Sequence, residues 1–282
     1  MARRKKKGIR TLSLLVAIFL LFFFLILESI EQSGKLKESS NFRQPSRISL
    51  KTPKPSYPDK IKKDRIAILI DDLGPSLRDF NQLENIHPNL SFAVLPFQTY
   101  SIKIARKIQS SGHHDLILHL PMEAENKSEN PGKGAIFHSM NPQEIERQTR
   151  VDLQSIPEIQ GVNNHMGSKI TSDESEMKII LKEIKSKELF FVDSRTTSSS
   201  IAHSLAADMG IKSAERQVFL DDTDQLNDIS KQFDRLVDLA HQKGFAIAIG
   251  HPRPNTVLAL RRFLPRVDEE NLELVPVSTL VR

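Results

Sequence analysis

The chain has 282 residues, long enough to bury one sizeable core, and its 35 acidic residues nearly balance its 40 Lys and Arg. The positive surplus sits at the start: residues 1–10 carry Arg3, Arg4, Lys5, Lys6, Lys7 and Arg10, and without those six the remaining 34 bases face 35 acids. A near-neutral body with no basic stretch interleaved with aromatics argues against nucleic acid as a partner, and the absence of Cys excludes disulfides, thiolate nucleophiles and thiolate metal ligands.

From Thr11 to Leu27 no residue is charged. As a helix this run would span roughly 25 Å, enough for a bilayer core. The basic flank before it favours a cytoplasmic N-terminus and an exported body. Glu28-Ser-Ile-Glu31 follows and makes a poor cleavage site, so the sequence predicts a basic tail and uncleaved transmembrane signal anchor over 1–28, with a cleaved signal peptide as the alternative. This reading gives a single-pass protein of the inner (cytoplasmic) membrane, its globular part in the periplasm or another extracytoplasmic space. Residues 29–63 are rich in Ser, Lys, Pro, Asn and Gln and read as a disordered linker, with a root-mean-square span of roughly 30–35 Å.

Beyond residue 64 strand and helix patterns alternate. Ile66-Ala67-Ile68-Leu69-Ile70 suits a strand buried on both faces, ending at Asp71-Asp72 before the Gly74-Pro75 turn. Residues 76–86 read as a short helix, 91–96 as a strand, 101–109 as a helix and 115–121 as a strand. A Gly- and Asn-rich loop over 125–139 precedes a helix with Asn141 as N-cap and Pro142 at its first position. Residues 161–167 form a short strand running into a turn, and Thr171-Ser-Asp-Glu174 has capping-box form ahead of a helix striped by Met177, Ile180, Leu181 and Ile184. The pattern closes with strands over 188–193, 217–220, 245–251 and 272–277, and helices over 198–209, 226–243 and 254–263. Some seven to eight strands among helices predict a single α/β domain over 64–282, an irregular (β/α) barrel, with a doubly wound open sheet as the alternative.

Titratable groups recur at the ends of these strands: Asp71 and Asp72, then His119, His165, Asp193 and His251. Loops after C-terminal strand ends converge on one cavity in α/β barrels, so the shared position points to a common site. Taken alone, the Asp pair reads first as an acidic turn capping the next helix, with a metal ligand beside a general base as the sharper alternative. The other histidines (His87, His113, His114, His138, His203 and His241) lack that position and read as surface or structural.

The motifs Ile70-Asp71-Asp72-Leu73-Gly74, His119-Leu-Pro-Met-Glu123, Gly161-Val-Asn-Asn-His165-Met-Gly-Ser168, Phe191-Val-Asp193-Ser-Arg195 and Ile249-Gly-His251-Pro-Arg253 together resemble the divergent polysaccharide deacetylase family. This is an offshoot of the metal-dependent carbohydrate esterases. The resemblance covers about 64–282 and implies an irregular (β/α) barrel holding one divalent metal, usually Zn²⁺. It implies Asp71 as base and Asp72 as metal ligand. The superfamily's other ligands form a His-x-x-x-His motif, where this chain has His119-x-x-x-Glu123; His165 is the candidate replacement, giving Asp72, His119 and His165. The superfamily's late acid maps on to His251, with Asp193 as its candidate partner. Arg195 and Arg253 are candidate substrate-binding residues, or else partners of Asp193. Such groups would activate water, polarise an acyl carbonyl and protonate a leaving amine. The reading is an envelope-facing metal-dependent hydrolase that removes N-acetyl groups from a polysaccharide or peptidoglycan glycan. Alternatives are a catalytically inactive protein of this fold that binds glycan or a cell-wall enzyme partner, and a hydrolase of another ester or amide.

Overall fold

The computed structural model describes residues 63–282; the expected anchor over 1–28 and the linker up to residue 62 lie outside the described residues. Among the described residues no helix is long and apolar enough to cross a membrane. Among the described residues nine strands form one sheet: β1 (Asp64–Leu73), β2 (Ser91–Val94), β3 (Asp115–Met122), β4 (Gly161–Met166), β5 (Phe190–Asp193), β6 (Ser213–Glu215), β7 (Val218–Phe219), β8 (Phe245–Gly250) and β9 (Leu272–Leu274). Every pairing is parallel, in the order β6-β5-β4-β3-β2-β1-β8-β7, with β9 alongside the start of β1. The helices are α1 (Leu77–Leu83), α2 (Ser101–Ser111), α3 (Pro142–Ser155), α4 (Glu174–Ser186), α5 (Ala202–Asp208), α6 (Leu226–Lys243) and α7 (Pro254–Phe263).

The sheet curls into a half-barrel, and the chain itself spans the seam. β6 pairs with β5; then Arg216 N–H bonds the Asp193 carbonyl, Gln217 N–H bonds the Ile247 carbonyl, and β7 pairs with β8. Strand 213–215 is absent from the sequence reading because three residues are too few to show a period.

Both faces of the sheet are apolar, as a parallel sheet covered by helices requires. Ile66, Ile68 and Ile70 pack outward in the large cluster with the helices, with Leu116, Leu118, Val162 and Phe191. Ala67, Leu69, Ile117, Val192, Ile247 and Ile249 point into the lumen, where Val275, Val277 and Leu280 of the C-terminal segment plug the far end. That plug is pinned by buried hydrogen bonds: Ser91 Oγ donates to Asp115, Val277 N–H to Ser91 Oγ, and Ser278 N–H and Oγ to Asp115. With one end closed, the lumen opens at the C-terminal strand ends. Period two then carries the inward parity on to Asp71, His119 and His251.

Two local features set the mouth of the barrel. The β1–β2 register shifts between Ile70 and Leu73, and Asp72 in the bulge takes φ 59°, so two consecutive carboxylates serve one side. Among the described residues, Asp72, Phe97, Met166 and Arg195 all have positive φ just at or beyond the ends of β1, β2, β4 and β5. Such backbone strain collects where function needs it.

The capping box expected at Thr171 is displaced. Ile170–Ser172 is a single 3₁₀ turn, and the N-cap of α4 is Asp173, whose side chain accepts from Glu176 N–H. At α3 the expected N-cap Asn141 is present, and it completes a capping box with Glu144, the two exchanging hydrogen bonds. The loop between β3 and α3 is fastened by an ion pair of 2.7 Å between His138 and Glu176, and by Glu123, whose carboxylate accepts His138 N–H at 2.6 Å.

Candidate metal centre and its cleft

Asp72, His119 and His165 arrive from three different strands, His119 from within β3, and meet. Asp72 Oδ1 lies 3.1 Å from His119 Nε2 and 3.0 Å from His165 Nδ1, and the two nitrogens are 3.2 Å apart. Ligands about 2.0–2.1 Å from a tetrahedral ion lie roughly 3.3 Å from one another, so one cation fits among these three atoms with only small adjustment. The buried Asp72 Oδ1 has no conventional hydrogen-bond partner among the described residues and faces only the two imidazole nitrogens. Both imidazole atoms suit Zn²⁺, and one carboxylate oxygen completes a set of three that leaves a fourth position open.

Asn163 makes His119 a ligand of defined tautomer. Its Nδ2 donates to Asp71 Oδ1 at 2.8 Å and to Ser194 Oγ at 3.1 Å, which turns its Oδ1 toward His119 Nδ1 at 2.9 Å. His119 therefore donates from Nδ1, which leaves Nε2 as the atom that faces the centre and would offer its lone pair to a cation on losing its proton. Burial works against charge on this ring, yet the carboxylates of Asp71 and Asp72 outweigh it and raise its pKa to about 9. The cluster thus demands positive charge. Burial would also raise Asp72, but the two imidazoles of His119 and His165 facing it hold it well below the usual carboxylate range.

Asp71 stands beside the triad. Its Oδ2 is 3.6 Å from His119 Nε2, and burial raises its pKa against the opposing pull of the His119 and His251 charges. His251 faces the cluster from β8, its Nε2 3.7 Å from Asp72 Oδ2.

The partner of His251 is Asp221, not Asp193. Asp221 accepts the His251 backbone N–H at 2.7 Å and the ring Nδ1–H at 2.9 Å, and it is locked by Thr256 Oγ1 at 2.6 Å. Asp193 follows Val192, a lumen residue, and so faces the helix layer; there it accepts from Arg195 N–H, Ser200 Oγ and His203 N–H. Asp221 has its own sequence signal, an acid directly after the apolar run Val218-Phe219-Leu220.

A cleft of 780 Å³ opens over these groups, lined also by Arg195, Arg216, Arg235 and Arg253. Arg195 and Arg253 were expected at the site. Arg216 and Arg235 were not, since neither follows an obvious strand. Glu123, which occupies the position of the superfamily's second imidazole, holds the 124–139 loop and does not join the triad.

The half-barrel and the motifs at its mouth place the chain in the polysaccharide deacetylase class. Within that class the match is to the divergent polysaccharide deacetylases, over residues 68–281, and the chain belongs to that family. It is 37% identical over 217 residues to YibQ of Escherichia coli (strain K12), itself an uncharacterized protein, across 77% of this chain and 67% of YibQ. An uncharacterized protein of Haemophilus influenzae is 32% identical over 222 residues, 78% of each chain. Among solved structures, the uncharacterized protein ATU2773 from Agrobacterium tumefaciens C58 aligns with a TM-score of 0.74 at 19% identity, covering 79% of this chain and 91% of that one. These likenesses extend the fold, and no further.

Proposed function

We propose that this protein is an envelope-facing, metal-dependent hydrolase that removes N-acetyl groups from a polysaccharide or peptidoglycan glycan. The observation that carries the reading is the convergence of Asp72 Oδ1, His119 Nε2 and His165 Nδ1 within 3.2 Å of one another, beside a carboxylate and an Asp-held imidazole that the triad does not use. Those three atoms would hold the ion. A bound Zn²⁺ supplies Lewis-acid polarisation of the acyl carbonyl and a lowered pKa for water.

The remaining work falls to the chain's own residues. Asn163 fixes one oxygen of Asp71 and leaves the other facing the centre, where it accepts the proton of the attacking water. Burial raises the Asp71 pKa, which makes it a stronger base. His251 gives its proton to the departing amine. Burial opposes its charge, but the Asp221 carboxylate more than offsets this and raises its pKa above the ordinary imidazole value, which favours the protonated, acid form. Arg195 and Arg253 hold substrate along the cleft.

The reading of an inactive binder rested on Glu123 in place of His. His165 supplies the imidazole that Glu123 lacks, which favours turnover. The basic tail and apolar run over 1–28 support anchoring in the inner membrane, with the barrel outside the cytoplasm. The test is acetate release by the full chain in detergent from acetylated chito-oligosaccharides and from peptidoglycan strands, with Zn²⁺ and with chelator. Release that chelator abolishes is expected; a zinc-loaded chain that releases no acetate from either substrate would overturn the proposal.

A further inference from the structure

The cleft's second wall carries charge that the deacetylation chemistry does not use. Arg195, Arg216 and Arg253 are half-buried there, and Arg235 projects from α6 at the rim. Arg216 donates from Nε to the Ser194 carbonyl at 2.6 Å and from Nη2 to the Arg195 carbonyl at 2.7 Å, with its Cζ 4.7 Å above the Phe219 ring. Arg253 donates from Nη1 to the Asp221 carbonyl, and Arg195 from Nη1 to the Ser200 carbonyl. These carbonyls fix the planes of the guanidiniums without neutralising them.

Counter-charge is sparse. Among the described residues, only Arg195 of the four has a carboxylate within ion-pair distance, Glu215 at 3.4 Å. The carboxylates that act on Arg216, namely Asp71, Asp193 and the exposed Asp222, all lie beyond ion-pair distance, and Glu129 is exposed at the rim. A half-buried guanidinium without a carboxylate is costly until an anion meets its remaining N–H groups, and its planar fork suits a carboxylate or phosphate. The wall is also close to the chemistry: Phe219 lies between Arg216 and His251, its ring 5.5 Å from the imidazole.

We propose that this wall binds an oxyanion carried by the substrate, so that the preferred substrate is an N-acylated glycan bearing a carboxylate or phosphate close to the acyl group, and not a neutral one. The inference rests on the hydrolase reading above for the acyl group, but it makes a separate claim about binding.

The test is calorimetric titration of the full-length, zinc-loaded Asp71→Asn chain in detergent, with His251→Gln as a second turnover-blocked background. Four ligands of matched length are compared: a neutral N-acetylglucosamine oligomer, a glycan strand with muramic-type carboxylates, the same strand with those carboxyls reduced to alcohols, and a phosphorylated N-acetylglucosamine oligomer. Binding of the carboxylate or phosphate strand at least tenfold tighter than the neutral oligomer is expected, with the preference erased by reduction. Arg235→Gln should shrink that preference several-fold while leaving neutral-oligomer affinity unchanged; Arg253→Gln, which also holds neutral substrate, should weaken the anionic strand more than the neutral oligomer and so shrink the preference as well. The stronger of the two anionic ligands tells which oxyanion the wall accepts. Equal affinity for neutral and anionic strands, a preference untouched by both arginine changes, or no binding of any strand overturns the inference. Acetate release by the wild-type chain without an anionic preference would sink this inference alone; an anionic preference without acetate release would sink only the hydrolase reading.

Discussion

The carboxylate of Asp221 grips His251 twice, accepting its backbone N–H at 2.7 Å and its ring Nδ1–H at 2.9 Å. This contact sets the ring's plane and holds the proton on Nε2 available to the cleft. In the proposed mechanism His251 acts in its protonated form, so activity should be lost as pH rises through its raised pKa. Asp221→Asn removes the charge that raises it, so the alkaline limb of kcat against pH should move to lower pH and the maximal rate should fall on the order of 10²-fold. An alkaline limb left in place would show that His251 is not the titrating acid.

Asp71→Asn should leave the triad intact while removing the base. Zinc content, measured by mass spectrometry on the purified full chain, is expected to equal that of the wild type, and acetate release to drop about 10²–10⁴-fold. Turnover retained near the wild-type rate would move the base elsewhere.

His165→Ala and Glu123→Ala form a paired test of the ligand set. The first should take zinc stoichiometry toward zero after dialysis against a mild chelator. The second should keep it near one per chain, because Glu123 stands outside the triad. The reverse result would restore Glu123 as a ligand.

Asn163→Ala removes the acceptor that orients His119 and a donor to Asp71. Loss of such a hydrogen-bond partner behind a metal ligand costs roughly 10–100-fold in affinity, which competition with a zinc-binding dye would read directly.

Asp152 gives a pH effect on stability remote from the cleft. It is fully buried, accepts one hydrogen bond from Gln148, and its Oδ2 has no partner among the described residues. Burial raises its pKa to about 8, so the native state keeps a proton that the unfolded chain has lost above its ordinary value of 3.8. The sign follows: this contribution is complete below the unfolded value and declines as pH rises toward 8, by up to about 1.4 kcal/mol per pH unit. Urea midpoints of Asp152→Asn should therefore change less between pH 5 and pH 8 than those of the wild type, and an identical pH dependence would refute the assignment.

Much of this could be read from the chain before any coordinates. Apolar runs ending in Asp or His mark strand ends at the mouth, and α6 and α7 span the expected 226–243 and 254–263. What stayed hidden depended on parity and register. In a sheet apolar on both faces, nothing in Phe190-Phe191-Val192-Asp193 says which face Asp193 takes, and it takes the helix side. The bulge that turns both Asp71 and Asp72 to one side is a register event between strands, invisible in either strand alone. The partner-switching segment 213–219 is legible only once β5 and β8 are in place to receive it.

The post held by Glu123 limits how this centre can be redesigned. Writing histidine there to restore the superfamily's spacing would release the loop that Glu123 ties through His138 N–H, and the incoming imidazole would find its coordination point already taken by His165. A conversion to the superfamily pattern would therefore have to change both positions together and give the loop a new tether.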